Sequence, residues 1–209
     1  MSFNDYASFK TEVADWIAVG GLGETTTTGK VDTFIDLFES EWNATQRCRQ
    51  MEAQTTIAMT TAGYLSHPSD WVAWKSLTIV VAGKRQKLDP LTPELAAMRG
   101  DQSGIVKGFE VVGDRTYLIN PPSTQAVDAI YWQKVPALSA SQTTNWLMND
   151  YPGIYLTGVR RYAARWLRDQ ERINECEADY QMALGIVKTA SDLASISGQV
   201  PRQQPDRVV

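Results

Sequence analysis

A chain of 209 residues, 43% hydrophobic and 10% aromatic, can bury one good core or two small ones. It carries 20 basic against 24 acidic residues, a net charge of -4, which argues against a protein whose task is to grip nucleic acid, because neutralising phosphates needs a clustered cationic surplus. The same balance does not argue against a protein that lets DNA slide past. No apolar run of about 18 residues is present to span a membrane, and Met1 to Asp5 lack the basic and apolar regions of a signal peptide, so a chain kept in cytosol-like solution is expected.

The first helix is expected from about Asn4 or Asp5 to about Val19, since Tyr6, Phe9, Val13, Trp16 and Ile17 recur on one face. Gly20, Gly21 and Gly23 end it, and Gly20 to Lys30 reads as a flexible turn. Its Gly/Thr composition resembles a phosphate-binding loop only superficially: Val31 stands where that motif needs Ser or Thr, and a helix rather than a strand precedes. A second helix, about Lys30 to Arg49, has an apolar face at Val31, Phe34, Ile35, Phe38 and Trp42, with Asp32, Asp36 and Glu39 as an acidic stripe beside it. Asn43 to Thr45 spells a glycosylation sequon, but its place inside a helix makes it coincidence.

From about Glu52 the period shifts towards two. Thr55 to Thr60 alternates, Trp71 to Val81 reads as a strand after Pro68, and Ala82, Gly83 and Lys84 turn it back through Leu88. Thr92, Pro93 and Glu94 open a short helix, and Gly100 to Gly108 reads as a loop. Phe109 to Val112 and Thr116 to Asn120 form a hairpin about Gly113 and Asp114, and Val127 to Val135 is the last strand.

After the Ser/Thr-rich loop, Pro152 and Gly153 lead into an arginine-bearing helix. Tyr155, Val159, Tyr162 and Trp166 make its apolar stripe, and Arg161, Arg165, Arg168 and Arg172 a basic stripe about a quarter-turn away. A final helix, about Gln170 to Ser197, places Ile173, Cys176, Tyr180, Leu184, Val187, Ala190 and Ala194 on one face. Cys48 and Cys176, each within an expected helix and without metal-ligand spacing, read as buried thiols. The tail from Gln199 to Val209 holds Pro201 and Pro205 with Arg202 and Arg207, a composition that cannot fold alone and is expected to be disordered or to lie extended against a partner.

The expected fold class is α+β: a helical body of two N-terminal and two long C-terminal helices with an inserted antiparallel β region. Its divisions are residues 1-52 and 137-198 for the body, 53-136 for the β region and 199-209 for the tail.

Chemistry is sparse in the sequence. The one histidine, His67, lies in a turn, and no residue set points to a catalytic triad, a metal or a cofactor. Glu110, Asp114 and Asp128 could in principle supply a glycosidase pair, and Tyr64, Trp71, Trp74, Tyr117, Tyr131 and Trp132 a sugar-stacking platform. Solvated carboxylates and ordinary core aromatics are the plainer readings. The arginine stripe is answered by Glu171, Glu175, Glu177 and Asp179 on the final helix and by the acidic row of the second, so Arg161, Arg165 and Arg168 are expected to meet Asp32, Asp36 and Glu39 on a packed helix, within a subunit or between subunits.

The run "YWQKVPALSASQTTNWLMNDYPGIYLTGVRRYAARWLRD" resembles the C-terminal half of the head-to-tail adaptors of short-tailed bacteriophages, the group that includes tail tubular protein A. "VDTFIDLFESEWNATQRCRQMEAQTTI", "GYLSHPSDWVAWKSL", "PLTPE" and "FEVVGDRTYLINPP" are similar to the family's acidic helix, strand, turn and hairpin, in the same order. The threonine row Thr25 to Thr28 departs from it where a shorter linker is usual. The resemblance implies a non-enzymatic structural protein of the virion, made in the host cytoplasm and requiring no cofactor. It implies a ring of copies, typically dodecameric, that docks under the portal protein and extends the DNA ejection channel. That ring offers its lower face to a downstream tail or nozzle protein, and DNA passes without specific binding. Gln199, Pro201, Arg202, Pro205 and Arg207 are then candidates for contact with the portal or a neighbour. The rival readings are a glycan-binding or cell-wall-hydrolysing tail component, resting on the β-region carboxylates and aromatics, and a free regulatory module.

Overall fold

The computed structural model of the chain describes residues 5-18, 24-60, 63-81, 83-99, 108-119 and 126-196, with only the backbone described for 24-28, 99 and 196. In chain order the elements are α1 (Tyr6–Ala18), α2 (Glu24–Thr45), β1 (Glu52–Ala58), β2 (Tyr64–Ser66), β3 (Trp71–Val81), β4 (Lys84–Pro90) and α3 (Pro93–Arg99). There follow β5 (Gly108–Val112), β6 (Arg115–Leu118), β7 (Ala126–Gln133), α4 (Trp146–Asp150), α5 (Pro152–Leu167) and α6 (Gln170–Ile196). Two compact units result, one from residues 1-50 and 135-209, the other from 51-134.

In the helical unit, α1 buries Phe9, Val13 and Ile17, three residues at helical spacing. Asp5 caps it: its Oδ1 accepts the Ser8 N–H at 2.8 Å while its own N–H donates to Ser8 Oγ at 3.2 Å, which holds the Asp5 carboxyl below the usual range. Helix α2 buries Val31, Phe34, Ile35, Phe38 and Trp42. It begins earlier than expected, because residues 24-30, read from the sequence as turn, are helical. Threonine is a weak helix former, so propensity placed the boundary late, whereas extending a nucleated helix costs little per residue. The rest of that expected turn, 20-23, lies outside the described residues, as does Val19 at the expected end of the first helix.

Phe38 forms the centre of this unit, with ring centroids 5.0 Å from Tyr155, 6.0 Å from Trp42 and 6.4 Å from Tyr180. Gly158 on α5 lies directly beneath it; a Cβ there would stand 2.3 Å from Phe38 Cε2. Helix α5 stops at Arg168, which adopts the left-handed conformation (φ 57°), and Asp169 Oδ1 then caps α6 by accepting the N–H groups of Glu171 and Arg172 at 3.1 and 3.2 Å. The expected basic stripe is thereby broken, with Arg172 on a different helix from Arg161 and Arg165.

The β unit is a seven-stranded sheet of order β1-β7-β3-β4-β5-β6-β2. Glu52 to Ala58 pair antiparallel with Trp132 to Ala126, and β3 pairs with β7 through two irregularities, between Trp71 and Ala73 and between Trp74 and Ser76, which sharpen the local twist. Gly83 and Gly113, both at positive φ, turn the β3-β4 and β5-β6 hairpins. β4 and β5 run parallel, pairing Asp89 with Gly108 and Pro90 with Phe109. Leu65, Leu77, Ile79, Leu88, Phe109 and Val127 are among the side chains of its own core.

The expected fold class is corrected here. The structure is a mixed fold of six α-helices, among the described residues, and a seven-stranded, nearly closed, barrel-like sheet that forms a compact unit with its own core, rather than a helical body carrying a small β insertion. A period of two identifies strands but says nothing of the non-local pairings that curl them, here β6 with β2 and β4 with β5.

Candidate functional site

Arg161 and Arg165 find their partners away from the α2 stripe. Arg161 is only 4% exposed; its guanidinium bonds Glu41, lies 3.6 Å from Glu177 and stacks 4.0 Å over the Tyr180 ring. Arg165 is exposed and reaches Glu177 at 3.5 Å, and Arg168 is exposed at the α5-α6 turn. Tyr162 donates to Glu41 at 2.6 Å, and burial with that carboxylate pushes its hydroxyl up to about 12. Arg160 and Arg172 hold α1 in place: both lie over Trp16, at 5.4 and 5.0 Å, and Arg160 pairs with Glu12 at 3.1 Å.

The acidic stripe of α2 is divided in the same way. Asp32 pairs with Lys10 and accepts the Tyr6 hydroxyl, both at 2.6 Å; partial burial pushes its carboxyl up, and those two contacts outweigh it and hold the carboxyl low. Asp36 is exposed. Glu39 is buried, accepting the Tyr155 hydroxyl and, at 2.9 Å, the Leu138 N–H, and so fastens the loop before α4. Within the chain, then, the two stripes do not meet. Glu41 and Glu177 do that work: Glu177 is one of the acidic residues of α6 that answer the arginine stripe in the sequence, whereas Glu41 stood in neither stripe.

Burial raises the Glu39 carboxyl above its usual range despite its two donors. With the folded value above the unfolded one, the folded state holds the proton longer, so stability is full below about 4.5 and falls as pH rises through the raised value. Glu39→Gln keeps both accepted hydrogen bonds and cannot ionise. Its stability relative to the parent, from urea midpoints between about pH 4 and 8, is expected to improve as pH rises through the raised value and then to level off; a constant difference would remove the assignment.

In the β unit, His67 stacks on Trp71 (3.8 Å between centroids) and its Nε2 meets Thr116 Oγ1 at 2.8 Å, while Trp74 Nε1 donates to the same oxygen at 2.6 Å. Burial lowers the His67 pKa against the opposing charge of Asp114, which favours a neutral ring held as a packing element. Beside it is a cleft of about 390 Å³ lined by Trp71, Trp74, Lys75, Lys87 and Phe109 among others, at the small end of ligand-site volumes. The candidate carboxylates are dispersed. Asp128 on β7 accepts from Thr56 at 2.9 Å and lies 3.5 Å from Arg85, whereas Glu110 is on β5, three strand spacings away or about 14 Å along the sheet. Asp114 is solvated at a hairpin turn beside Arg115. A glycosidase pair needs roughly 5 to 9.5 Å.

The outer surface of the helical unit has a feature that the sequence reading passed over. Met182, Ile186 and Leu193 on α6 are each about two-thirds exposed, and Leu37 on α2 is 45% exposed. The signal was present as a second apolar set at helical spacing opposite Tyr180, Leu184 and Val187. Among the described residues no helix is long and apolar enough to cross a membrane, and no His, Cys, Asp and Glu cluster could hold a metal. The tail candidates Gln199, Pro201, Arg202, Pro205 and Arg207 lie outside the described residues.

No curated protein compared with the chain matches it significantly. The family described as SU10 adaptor protein matches residues 4-205, nearly the whole length and both units. The chain belongs to this SU10 adaptor protein family, and is a structural bacteriophage head-to-tail adaptor, a component of the virion.

Proposed function

We propose that copies of this chain close into a ring that docks under the portal, extends the DNA channel and presents the attachment surface for the tail. The observation that carries this is the family match over residues 4-205, since an adaptor must join head to tail without blocking the DNA path. A closed ring needs two different, complementary faces on each subunit. Exposed Asp36 on α2 and exposed Arg165 and Arg168 at the end of α5 are suited to opposite sides of one such contact, with Asp32 beside them. Glu39 and Arg161 are committed inside the subunit. The net charge of -4 keeps DNA from adhering to the conduit. Gln199, Pro201, Arg202, Pro205 and Arg207 are proposed to lie along the portal or a neighbouring copy, where ordering on docking provides reach at an entropic cost. No covalent chemistry and no cofactor enters this role.

The test is the mass and symmetry of the purified protein, alone and mixed with its cognate portal, by sedimentation and particle imaging. A closed ring on the portal is expected; a monomer that ignores the portal would end the reading. Asp36→Arg should weaken assembly and Arg165→Asp in the same chain should partly restore it, each exposed pair contributing about 0.2 to 1 kcal/mol per interface and repeating around the ring. Additive damage in the double variant would remove the charge contact.

A further inference from the structure

Helix α6 has two apolar faces. One, with Cys176, Tyr180, Leu184 and Val187, is buried in the helical unit; the other presents Met182, Ile186 and Leu193, each about two-thirds exposed. Isolated exposed apolar residues need no explanation, but three large ones on one face of one helix do. Gly185 lies among them, and a Cβ there would meet nothing within 4 Å. A mid-helix glycine costs about 1 kcal/mol relative to alanine, and no contact among the described residues requires this one. What it permits is close approach from outside. Towards the helix N-terminus the same face turns acidic, with Glu171, Glu175 and Asp179 exposed.

The surface that complements this face is on the chain itself. The outward side of α2 presents exposed Lys30, Thr33, Leu37, Ser40 and Ala44. Their spacing is that of Glu175, Ala178, Met182, Gly185 and Thr189 on α6. Set side by side in parallel, Lys30 meets the acidic end at Glu175, Leu37 covers Met182 and the small Ser40 lies over Gly185. Charge selects that direction. In the reverse one the acidic end would meet the C-terminus of α2, where the Arg47 guanidinium is folded back onto the Asn43 carbonyl at 2.8 Å.

We infer that the outward face of α6, centred on Met182 and Ile186, docks in parallel on the outward face of α2 in a second copy of the chain. The contact is heterologous, joining unlike faces and leaving each copy with one of each free, as a ring requires. It rests on the ring reading and names the surfaces that make it.

The test uses Ser40→Cys and Gly185→Cys, introduced into separate full-length chains in which native Cys48 and Cys176 are buried. Mixed and mildly oxidised, the two should yield a dimer linked 40 to 185, identified by peptide mass, while each alone should yield little. Self-linkage of Gly185→Cys would mean a two-fold α6-α6 contact and overturn the proposal. As a second arm, Ile186→Asp should cut assembly at least tenfold and leave the urea midpoint of the free chain unchanged; undiminished assembly would overturn the proposal. The same samples are sized with and without portal. Rings that form without the 40-185 link would overturn this docking and leave the ring standing, whereas monomers in both conditions would overturn the ring reading and this contact with it.

Discussion

Glu41→Ala is expected to destabilise the helical unit by about 3 kcal/mol, more than Arg161→Met at the same ion pair. The asymmetry follows from which partner is buried. Arg161 is 4% exposed and lies against Tyr180, so deleting Glu41 leaves a guanidinium shut away from water with only Glu177, at 3.6 Å, to answer it. Deleting the arginine instead leaves Glu41, about 30% exposed on its side chain, which rehydrates and still accepts from Tyr162. Breaking a buried pair by removing one partner costs about 3 to 5 kcal/mol, and the remaining glutamate puts Glu41→Ala at the low end. Because the glutamate left behind is part-exposed and still hydrogen-bonded, Arg161→Met leaves no uncompensated buried charge, and it should cost less than about 1.5 kcal/mol. Urea unfolding of the two variants decides the matter, and equal losses would mean that the arginine is not the desolvated partner.

What could be read from the sequence, and what could not, divides along physical lines. The buried faces of α1 and α2 were visible because Phe9, Val13 and Ile17, and Val31, Phe34, Phe38 and Trp42, repeat at the helical period and burial needs little more. The β5-β6 hairpin was visible because Gly113 supplies the positive φ that a tight turn needs. Curvature was not: the pairing of β2 with β6 and the parallel step from β4 to β5 join segments whose partners no local pattern names. Ion-pair partners failed for a related reason. Periodicity put Arg161 on a basic stripe meant to meet Asp32, Asp36 and Glu39 on a packed helix, but the crossing of α5 with α2 and α6 turns that position inward, where Glu41 and Glu177 are within reach and Asp32, already held by Lys10 and Tyr6, is not. The outward face of α6 was overlooked because a helix with one satisfactory apolar face invites no search for another.

Gly158→Ala should destabilise the protein by about 1 to 2 kcal/mol, although the same change inside an ordinary helix stabilises it by about 0.5 to 1. The added methyl would stand 2.3 Å from Phe38 Cε2 and 2.4 Å from Cδ2, far inside contact distance. Phe38 cannot step aside, since it is fully buried and enclosed by Trp42, Tyr155 and Tyr180. Overpacking of this kind costs about 1 to 3 kcal/mol, from which the gain in helix propensity, at most about 1, is subtracted. Gly185→Ala is the internal control: a methyl there meets nothing, so the propensity gain should appear undiminished and the urea midpoint should rise. A third variant isolates the cause. If the clash with Phe38 is responsible, Phe38→Leu combined with Gly158→Ala should be more stable than the sum of the two single losses, because the smaller side chain vacates the volume that the methyl needs. Strict additivity would instead place the cost in the α5 backbone, and the close approach of α2 to α5 at Gly158 would cease to explain why a glycine occupies that position.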